Sequence, residues 1–199
     1  MIAILDYGSG NIRSVQRACE TTGQEVVVTS SADIAQSADG LVVPGVGAFA
    51  ACMNSLRAIG GDQIINNRVE EKKPVLGICV GMQILFKDSD EDNRETTGLN
   101  LLASSVKKLD STILPQIGWN TVTVGTGSRL FAGIENERFY FVHSYAAIKI
   151  NEESIRTTSE YGSPFLAALE MGPLSAVQFH PEKSGDAGLR LIKNWSQGL

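Results

Sequence analysis

Short apolar runs alternate with helical patterns along the first half of the chain, and this alternation is the feature that most constrains the fold. The first run is Ile2–Leu5, after which apolar residues recur at helical spacing at Ile12, Val15 and Cys19, up to Gly23. Strands that alternate with helices are typical of a mostly parallel sheet with helices on both faces. The same pattern predicts strands at residues 25–29, 41–43 and 75–78, and helices at residues 48–58, 62–72 and 80–86.

The second half has strand patterns with little helix between them. Strand-like segments occur at residues 119–124, 138–145 and 165–170, with a turn at residues 160–164, and they predict an antiparallel extension of the sheet. A buried strand at residues 176–179 and an amphipathic helix through Leu189, Ile192 and Trp195 are expected to follow. We interpret the polar segment 87–98 as a surface loop within one α/β domain that spans residues 1–199, because both flanks are needed for one core.

The composition argues against several classes of protein. A chain of 199 residues, 43% of them hydrophobic, is expected to fold as one globular domain. Its 17 basic and 22 acidic residues include no basic cluster, which argues against a nucleic-acid partner. Pro44 interrupts the apolar stretch 40–56, and the N-terminus has no basic region, so neither a membrane span nor a signal peptide is predicted. The three cysteines form no C-x-x-C pair, which favours a reducing, cytoplasmic setting.

The strongest chemical signal is the sequence G-I-C-V-G at residues 77–81, between a predicted strand and a predicted helix. This is the form of a nucleophile elbow with cysteine in the central position, where small neighbours allow a strained turn that exposes the nucleophile. We therefore predict that Cys79 is a nucleophile. The alternative is a buried cysteine in a tight strand-to-helix turn, and packing is the role that we predict for Cys19 and Cys52.

A candidate base follows the last predicted strand, in the sequence H-P-E at residues 180–182. If the chain bends at Pro181, the carboxylate of Glu182 can orient the imidazole of His180. Cys79, His180 and Glu182 then form a triad of nucleophile, base and orienting acid. A structural histidine is the alternative, and the cysteine elbow upstream favours the catalytic interpretation.

Two glycine-rich loops follow early strands. The sequence P-G-V-G at residues 44–47 can present backbone N–H groups to an oxyanion, although it can also be an ordinary turn. The loop at residues 8–10 fails the dinucleotide pattern because Arg13 occupies the third glycine position. No residues have zinc-binding spacing. We therefore predict no cofactor and no metal.

The combination of G-I-C-V-G-M-Q at residues 77–83 with H-P-E resembles the class I, or triad, glutamine amidotransferases. Within them, the chain resembles the glutaminase subunits of imidazole glycerol phosphate synthases. The glutaminase subunits of pyridoxal phosphate synthases tend to have a P-G-G-E-S loop where this chain has P-G-V-G. The blocks that carry the resemblance are D-Y-G-S-G-N at residues 6–11, P-G-V-G-A-F at 44–49, Q-I-G-W-N at 116–120 and Y-F-V-H-S-Y at 140–145.

The resemblance implies the class I amidotransferase fold and a glutaminase reaction. Cys79 attacks the side-chain amide of glutamine, His180 transfers the proton that lets ammonia leave, and water releases glutamate from a thioester. The segment 140–145 closes the glutamine pocket. The implied substrate contacts are Gly45, Val46, Gly47, Gln83, His143, Ser144 and Tyr145.

The resemblance also implies a partner, because a chain of this length has no room for a domain that uses ammonia. In the family, the glutaminase docks on a (β/α)8 cyclase subunit as a heterodimer and passes ammonia through its barrel, giving imidazole glycerol phosphate and AICAR in histidine biosynthesis. Two alternatives stay open: a glutaminase subunit of another amidotransferase pathway, and a non-catalytic regulatory subunit. The implied interface positions are Asn11, Trp119, Asn120, Tyr140 and Lys183.

Overall fold

The alternating first half forms four of the five parallel strands of a seven-stranded sheet. The computed structural model describes residues 1–91, 95–148 and 153–199. In chain order the elements are β1 (Ile2–Leu5), α1 (Ile12–Glu20), β2 (Val26–Thr29), α2 (Ala32–Ser37), β3 (Gly40–Gly45), α3 (Phe49–Ala58), α4 (Gly61–Glu70), β4 (Val75–Cys79), α5 (Val80–Gln83), β5 (Phe86–Ser89), β6 (Thr96–Thr97), β7 (Leu102–Lys108), β8 (Gln116–Thr121), β9 (Arg138–His143), β10 (Tyr145–Ala147), β11 (Ile155–Tyr161), β12 (Ser163–Met171), β13 (Leu174–Val177) and α6 (Gly185–Ser196).

The strand order of the main sheet is β11-β12-β13-β4-β3-β1-β2. The five strands from β13 to β2 are parallel, whereas β11, β12 and β13 pair in antiparallel fashion. The predicted α/β class, with a mostly parallel sheet and an antiparallel extension, is confirmed. Because the crossovers leave β1 and β3 in opposite directions along the sheet, the carboxyl ends of these strands form the edge where open α/β sheets bind ligands.

The core follows from burial on both faces of the sheet. Every residue of β1, β3 and β4 is buried, which explains why these strands read as continuous apolar runs without alternation. A second group of aromatic rings joins the ribbon β8–β9 to the sheet. Phe139 stacks on Phe179 with ring centroids 4.4 Å apart, and Phe141 meets Phe179 edge to face. This packing fixes the segment that leads into His180.

The prediction of a surface loop at residues 87–98 is wrong for most of its described part. The chain continues from Phe86 through Ser89 as β5, and β6 pairs with it, in a second sheet of order β10-β7-β5-β6. The strand contains two polar residues, Asp88 and Ser89, that are buried because they have hydrogen-bonding partners. Hydrophobicity therefore does not reveal it as a strand. Residues 92–94 lie outside the described part of the chain.

Other differences concern element length. The predicted helix at residues 80–86 ends at Gln83, since β5 begins three residues later. The strand predicted at 119–124 is β8, which starts earlier because Gln116 already pairs with His143. Similarly, the strand predicted at 176–179 is β13 at Leu174–Val177. Sequence patterns missed α2, β7 and β11, which are short or polar. Within the described residues, no helix combines the length and apolarity needed to cross a bilayer.

Arg68 on α4 is fully buried and ties together the loops at the amino end of the sheet. Its guanidinium donates to the carbonyl oxygens of Ala35 at 2.7 Å, Ala38 at 2.9 Å and Pro74 at 2.9 Å. Burial lowers the pKa of the guanidinium from its usual value, and the carbonyl oxygens partly compensate the lost hydration. The residue thus acts as a common donor for backbone carbonyl groups in the last turn of α2 and in the segments that lead into β3 and β4.

We expect Arg68→Met to lower the free energy of unfolding by about 3 kcal/mol or more, because it leaves buried carbonyl groups without a donor. Urea denaturation of the two proteins measures this loss. Arg57→Met is the control, since Arg57 donates to the Thr97 carbonyl oxygen at an exposed position and its removal should change stability by about 0.5 kcal/mol at most. Equal losses in both variants would contradict the account of Arg68.

Candidate active site

Cys79 lies at the point where β4 ends and α5 begins, at the carboxyl edge of the parallel sheet. Its backbone has φ 56° and ψ −115°, a conformation that non-glycine residues rarely adopt. Such a backbone costs about 1–3 kcal/mol and persists where surrounding structure enforces it. The elbow that the sequence G-I-C-V-G predicts is therefore present.

The flanking glycines allow three backbone segments to come together at the elbow. A Cβ atom on Gly77 would lie 2.6 Å from the carbonyl oxygen of Gly81, and a Cβ atom on Gly81 would overlap the carbonyl oxygen of Val43 in β3. The sequence folds this way locally because no side chain separates β3, β4 and the first turn of α5.

His180 is held beside Cys79 by the 3-10 turn Pro181–Lys183 that follows it. Its Nδ1 lies 2.9 Å from Oε1 of Glu182, and both side chains are buried. The ring also hydrogen bonds to Cys79. The backbone N–H of His180 donates to the Tyr140 carbonyl oxygen at 2.9 Å, which anchors the turn to β9. The structure therefore brings together all three residues of the predicted triad.

The electrostatics of His180 favour its charged form. Burial lowers the pKa of the imidazole, but hydrogen bonds to Cys79 and Glu182 outweigh burial and raise the pKa to about 9. At neutral pH the ring is therefore an imidazolium that can donate a proton beside the sulfur. In chemical terms, the arrangement provides a nucleophile, a proton donor and an orienting carboxylate.

A cavity of about 380 Å³ opens over the elbow. Of the predicted substrate contacts, all line it except Gly45, which lies at the end of β3 against the elbow. Lys183, predicted at the interface, also lines the cavity, whereas Glu182 lies behind His180. The predicted residues that line the cavity are Val46, Gly47, Cys79, Gln83, His143, Ser144, Tyr145 and His180.

The glycine-rich loop after β3 is fastened to the loop after β1. The N–H of Val46 donates to Oγ of Ser9 at 3.1 Å, and Ser9 Oγ donates to the Val46 carbonyl oxygen at 2.9 Å. The Cys52 thiol donates to the same carbonyl oxygen at 3.2 Å, so Cys52 is buried, as expected, and also hydrogen bonded. A contact between the Val46 N–H and an oxyanion requires that the bond to Ser9 breaks.

The wall of the cavity opposite the loop contains a hydrogen-bond network. Gln83 Nε2 donates to the Tyr145 carbonyl oxygen at 2.8 Å and to Oε1 of Gln178 at 3.0 Å. His143 lies with Nδ1 3.0 Å from the same carbonyl oxygen and Nε2 3.0 Å from Gln116 Oε1. Burial lowers the pKa of His143 to about 4, so the ring is neutral and donates from Nδ1 to the carbonyl oxygen. Nε2 is then an acceptor, so the Gln116 amide must turn its nitrogen toward the ring to bond to it.

Sequence reasoning missed three residues at the site. Glu91 lines the cavity, and its carboxylate accepts the backbone N–H of Phe49 at 2.6 Å. Gln178 reaches the sulfur of Cys79, and Ser9 holds the loop after β3. Only Gln178 has a signal in the sequence, since it lies two residues before His180 in the predicted strand 176–179, where alternation would turn both side chains to one side.

The predicted interface positions lie at or near the surface. Trp119 is 48% exposed on β8 and packs edge to face on Tyr140, with ring centroids 5.9 Å apart. Ile117, two residues before it, is 63% exposed. Asn11 is exposed where α1 begins, and Asn120 Nδ2 donates to the Glu160 carbonyl oxygen at 2.9 Å. In the ranges that the structure describes, no three His, Cys, Asp or Glu residues form a group that could hold a metal ion.

Comparison with known proteins places this geometry in a family. A family model for "Glutamine amidotransferase class-I" matches residues 3–196. The chain is 55% identical to the imidazole glycerol phosphate synthase subunit HisH of Mycolicibacterium paratuberculosis, and the alignment covers 100% of this chain and 98% of that protein. It is 54% identical, with the same coverage, to the subunit of that name from Nocardia farcinica.

Solved structures show the same fold at lower identity. A glutamine amidotransferase superposes with a TM-score of 0.77 at 19% identity, over 98% of both chains. PurLQS from Thermotoga maritima superposes with a TM-score of 0.75 at 18% identity, over 99% of this chain and 97% of that one. The family model spans nearly the whole chain, and the relatives that share more than half of its residues match it from end to end. The chain therefore belongs to the class-I glutamine amidotransferase family.

Proposed function

We propose that this chain is the glutaminase subunit of an imidazole glycerol phosphate synthase, which releases ammonia from glutamine for a cyclase subunit. The observation that carries the glutaminase activity is the arrangement of Cys79, His180 and Glu182 on a strained elbow beneath a cavity. The synthase assignment is supported by the full-length relatives, which are named as subunits of that enzyme.

In the proposed reaction, Cys79 Sγ bonds to the side-chain amide carbon of glutamine and the carbonyl electrons move to oxygen. His180 holds the thiol proton and delivers it to the amide nitrogen as the C–N bond breaks, so ammonia leaves and a glutamyl thioester remains. Water then attacks the thioester carbon and gives its proton to His180. The C–S bond breaks, glutamate leaves, and the sulfur recovers its proton. Glu182 holds Nδ1, which orients the ring throughout.

The substrate pocket offers groups that match free glutamine. Glu91 supplies a carboxylate in the cavity wall for the α-ammonium group. Gln83 donates its two amide hydrogens to Tyr145 and Gln178, so its oxygen is the atom that can accept a hydrogen bond from the substrate. We propose Gly45, Val46 and Gly47 as oxyanion and substrate contacts, and His143, Ser144 and Tyr145 as the opposite wall.

The proposed partner is a (β/α)8 cyclase subunit bound as a heterodimer. Ammonia that escapes to neutral water is protonated and loses its nucleophilic lone pair, so the donor and acceptor sites must be connected. Trp119 and Ile117 give an exposed apolar contact on β8, and the proposed polar contacts are Asn11, Asn120, Tyr140 and Lys183. Three free thiols support the cytoplasm as the location.

Glutamate release by the chain alone, with the cyclase subunit, and with that subunit plus its bound nucleotide tests the proposal. We expect turnover to increase at each step, and strong turnover without a partner would contradict partner dependence. Rescue of a histidine auxotroph that lacks the glutaminase subunit separates this pathway from other amidotransferase pathways. Failure to rescue, with glutaminase activity retained, would assign the chain to another pathway.

The raised pKa of His180 predicts a falling limb in the pH profile. A pKa of about 9 means that the imidazolium needed to protonate the leaving nitrogen is present at neutral pH and is lost as the pH rises through about 9. Glu182→Gln removes one of the interactions that raise the pKa, so we expect its falling limb at lower pH. Initial rates of the complex across pH measure both profiles. Glu137→Gln, at an exposed position, should leave the falling limb unchanged. If the falling limb of Glu182→Gln lies at the same pH as that of the wild type, Glu182 does not raise the pKa of His180.

A further inference from the structure

Gln178 is a fully buried amide that touches both the nucleophile and the wall of the substrate pocket. It lies directly after β13, and its backbone N–H donates to the Ala167 carbonyl oxygen at 2.8 Å. Its Nε2 donates to Cys79 Sγ at 3.8 Å, and its Oε1 accepts from Gln83 Nε2 at 3.0 Å. The side chain therefore bridges two groups with different roles in the proposed reaction.

The bend that follows β13 explains why Gln178 reaches the sulfur. Gln178 and Phe179 form this bend, and the side chains of Gln178 and His180 both meet Cys79. Phe179, between them, points the other way and packs among the aromatic rings of the core. One short segment thus delivers both an imidazole and an amide to Cys79.

The hydrogen-bond network fixes the orientation of the amide. The Tyr145 carbonyl oxygen only accepts hydrogen bonds, so the nitrogen of Gln83 must face it. The same nitrogen meets Gln178, which therefore presents its oxygen to Gln83 and its nitrogen to the sulfur. With Gln178 turned over, two N–H donors would face each other. The donor is thus aimed at Cys79 before any substrate arrives.

Burial of the Gln178 amide costs free energy that a purely structural side chain at this position would not need to cost. A neutral amide loses hydration on burial, and an apolar side chain of similar size would fill the same space without that penalty. The side-chain partners that the structure shows for it are Cys79 and Gln83, and an N–H donor beside sulfur stabilises negative charge there more strongly at low dielectric than in water.

We propose that Gln178 is a positioning residue that holds the Cys79 sulfur with one amide group and orients Gln83 toward the substrate with the other. The inference rests on the proposed glutaminase activity and adds a residue to its machinery. It predicts that one side chain affects two separable quantities, the reactivity of the sulfur and the affinity for glutamine.

The test compares Gln178→Met and Gln178→Glu with the wild type, in complex with the cyclase subunit. Methionine keeps the volume without hydrogen bonds, and glutamate keeps the shape but places a negative charge by the sulfur. The readouts are kcat and KM for glutamine, and the pH dependence of iodoacetamide alkylation at Cys79, followed by peptide mapping. The titratable groups near Cys79 are His180, Cys52 and Tyr7, and they are the same in all these proteins. A difference in the alkylation profile is therefore due to the substitution at residue 178.

We expect kcat/KM to fall roughly tenfold to a hundredfold in both variants, as for the loss of two hydrogen bonds. The pH midpoint of alkylation should rise in Gln178→Met and rise further in Gln178→Glu, so either variant alone carries the test if the other fails to fold. Gln83→Met should raise KM and shift the alkylation midpoint less than Gln178→Met does, since Gln178 keeps its own amide but loses the partner that fixes its orientation. Asn194→Leu is the structural control, because Asn194 is a buried amide that donates to Leu130 and Ala132 far from the sulfur.

A folded Gln178 variant with the wild-type alkylation profile and wild-type KM would overturn the proposal. A midpoint shift of the same size in Asn194→Leu would overturn it as well, since the effect would then report general loosening. If the wild-type complex releases no glutamate, the proposed function fails, but the alkylation readout still decides whether Gln178 acts on the sulfur.

Discussion

Glutamate release by the complex with the cyclase subunit is expected to fall by about 10³-fold or more when Cys79 is replaced by alanine. The proposed thioester cannot form without the sulfur, and the remaining groups of the triad only transfer protons. Synthesis from added ammonium salt should continue, because the substitution leaves the acceptor site in the partner. Coupled assays with glutamine or with ammonium as the nitrogen source measure the two activities.

Cys19→Ala is the matched control for this experiment. Cys19 is a buried free thiol on α1, and burial raises its pKa to about 12, so it stays protonated and unreactive at neutral pH. We expect this variant to keep its glutamine-dependent activity. Retained activity in Cys79→Ala, or an equal loss in Cys19→Ala, would remove Cys79 from the mechanism.

The second large effect is expected for Gly81→Ala. A Cβ atom at this position overlaps the carbonyl oxygen of Val43, and backbone within a packed parallel sheet cannot move aside as a side chain can. Either β3 moves away from the elbow or Cys79 loses its strained conformation. We expect the free energy of unfolding to fall by about 3 kcal/mol or more and glutaminase activity to be lost, as measured by urea denaturation and glutamate release.

Gly61→Ala provides the comparison at another helix start. There the Cβ atom would lie 2.5 Å from Cδ1 of Leu56, the far end of a flexible side chain that can change rotamer. A loss of about 1 kcal/mol or less, with activity retained, is expected. If both glycine variants behave alike, close approach of the backbone at the elbow does not explain the G-I-C-V-G pattern.

The sequence was most informative where local pattern and burial agree. The strands β1, β3 and β4 are buried along their whole length, so each is a continuous apolar run that the sequence displays directly. The elbow was predictable for a related reason, since the strained conformation of Cys79 requires glycines at fixed positions beside it. Similarly, the bend that brings Glu182 to His180 is local to three residues.

The rest depends on contacts between residues that are distant along the chain. Glu91 meets the backbone of Phe49 across 42 positions, and Ser9 meets Val46 across 37, so no local pattern reveals either contact. The polar pattern of β5 predicts a loop, although its buried Asp88 bonds to Ser105 on the neighbouring strand β7 and its buried Ser89 accepts from the backbone N–H of Glu91. Pairing register and side-chain partners of this kind are fixed by the tertiary structure.

The most direct test of the account is covalent labelling of the complex with an electrophilic glutamine analogue, followed by peptide mapping. We expect one label, on the peptide that contains Cys79, with loss of glutaminase activity in proportion to labelling and protection by glutamine. Activity that persists when Cys79 is fully labelled, or inactivation that tracks labelling of Cys19 or Cys52 instead, would contradict it.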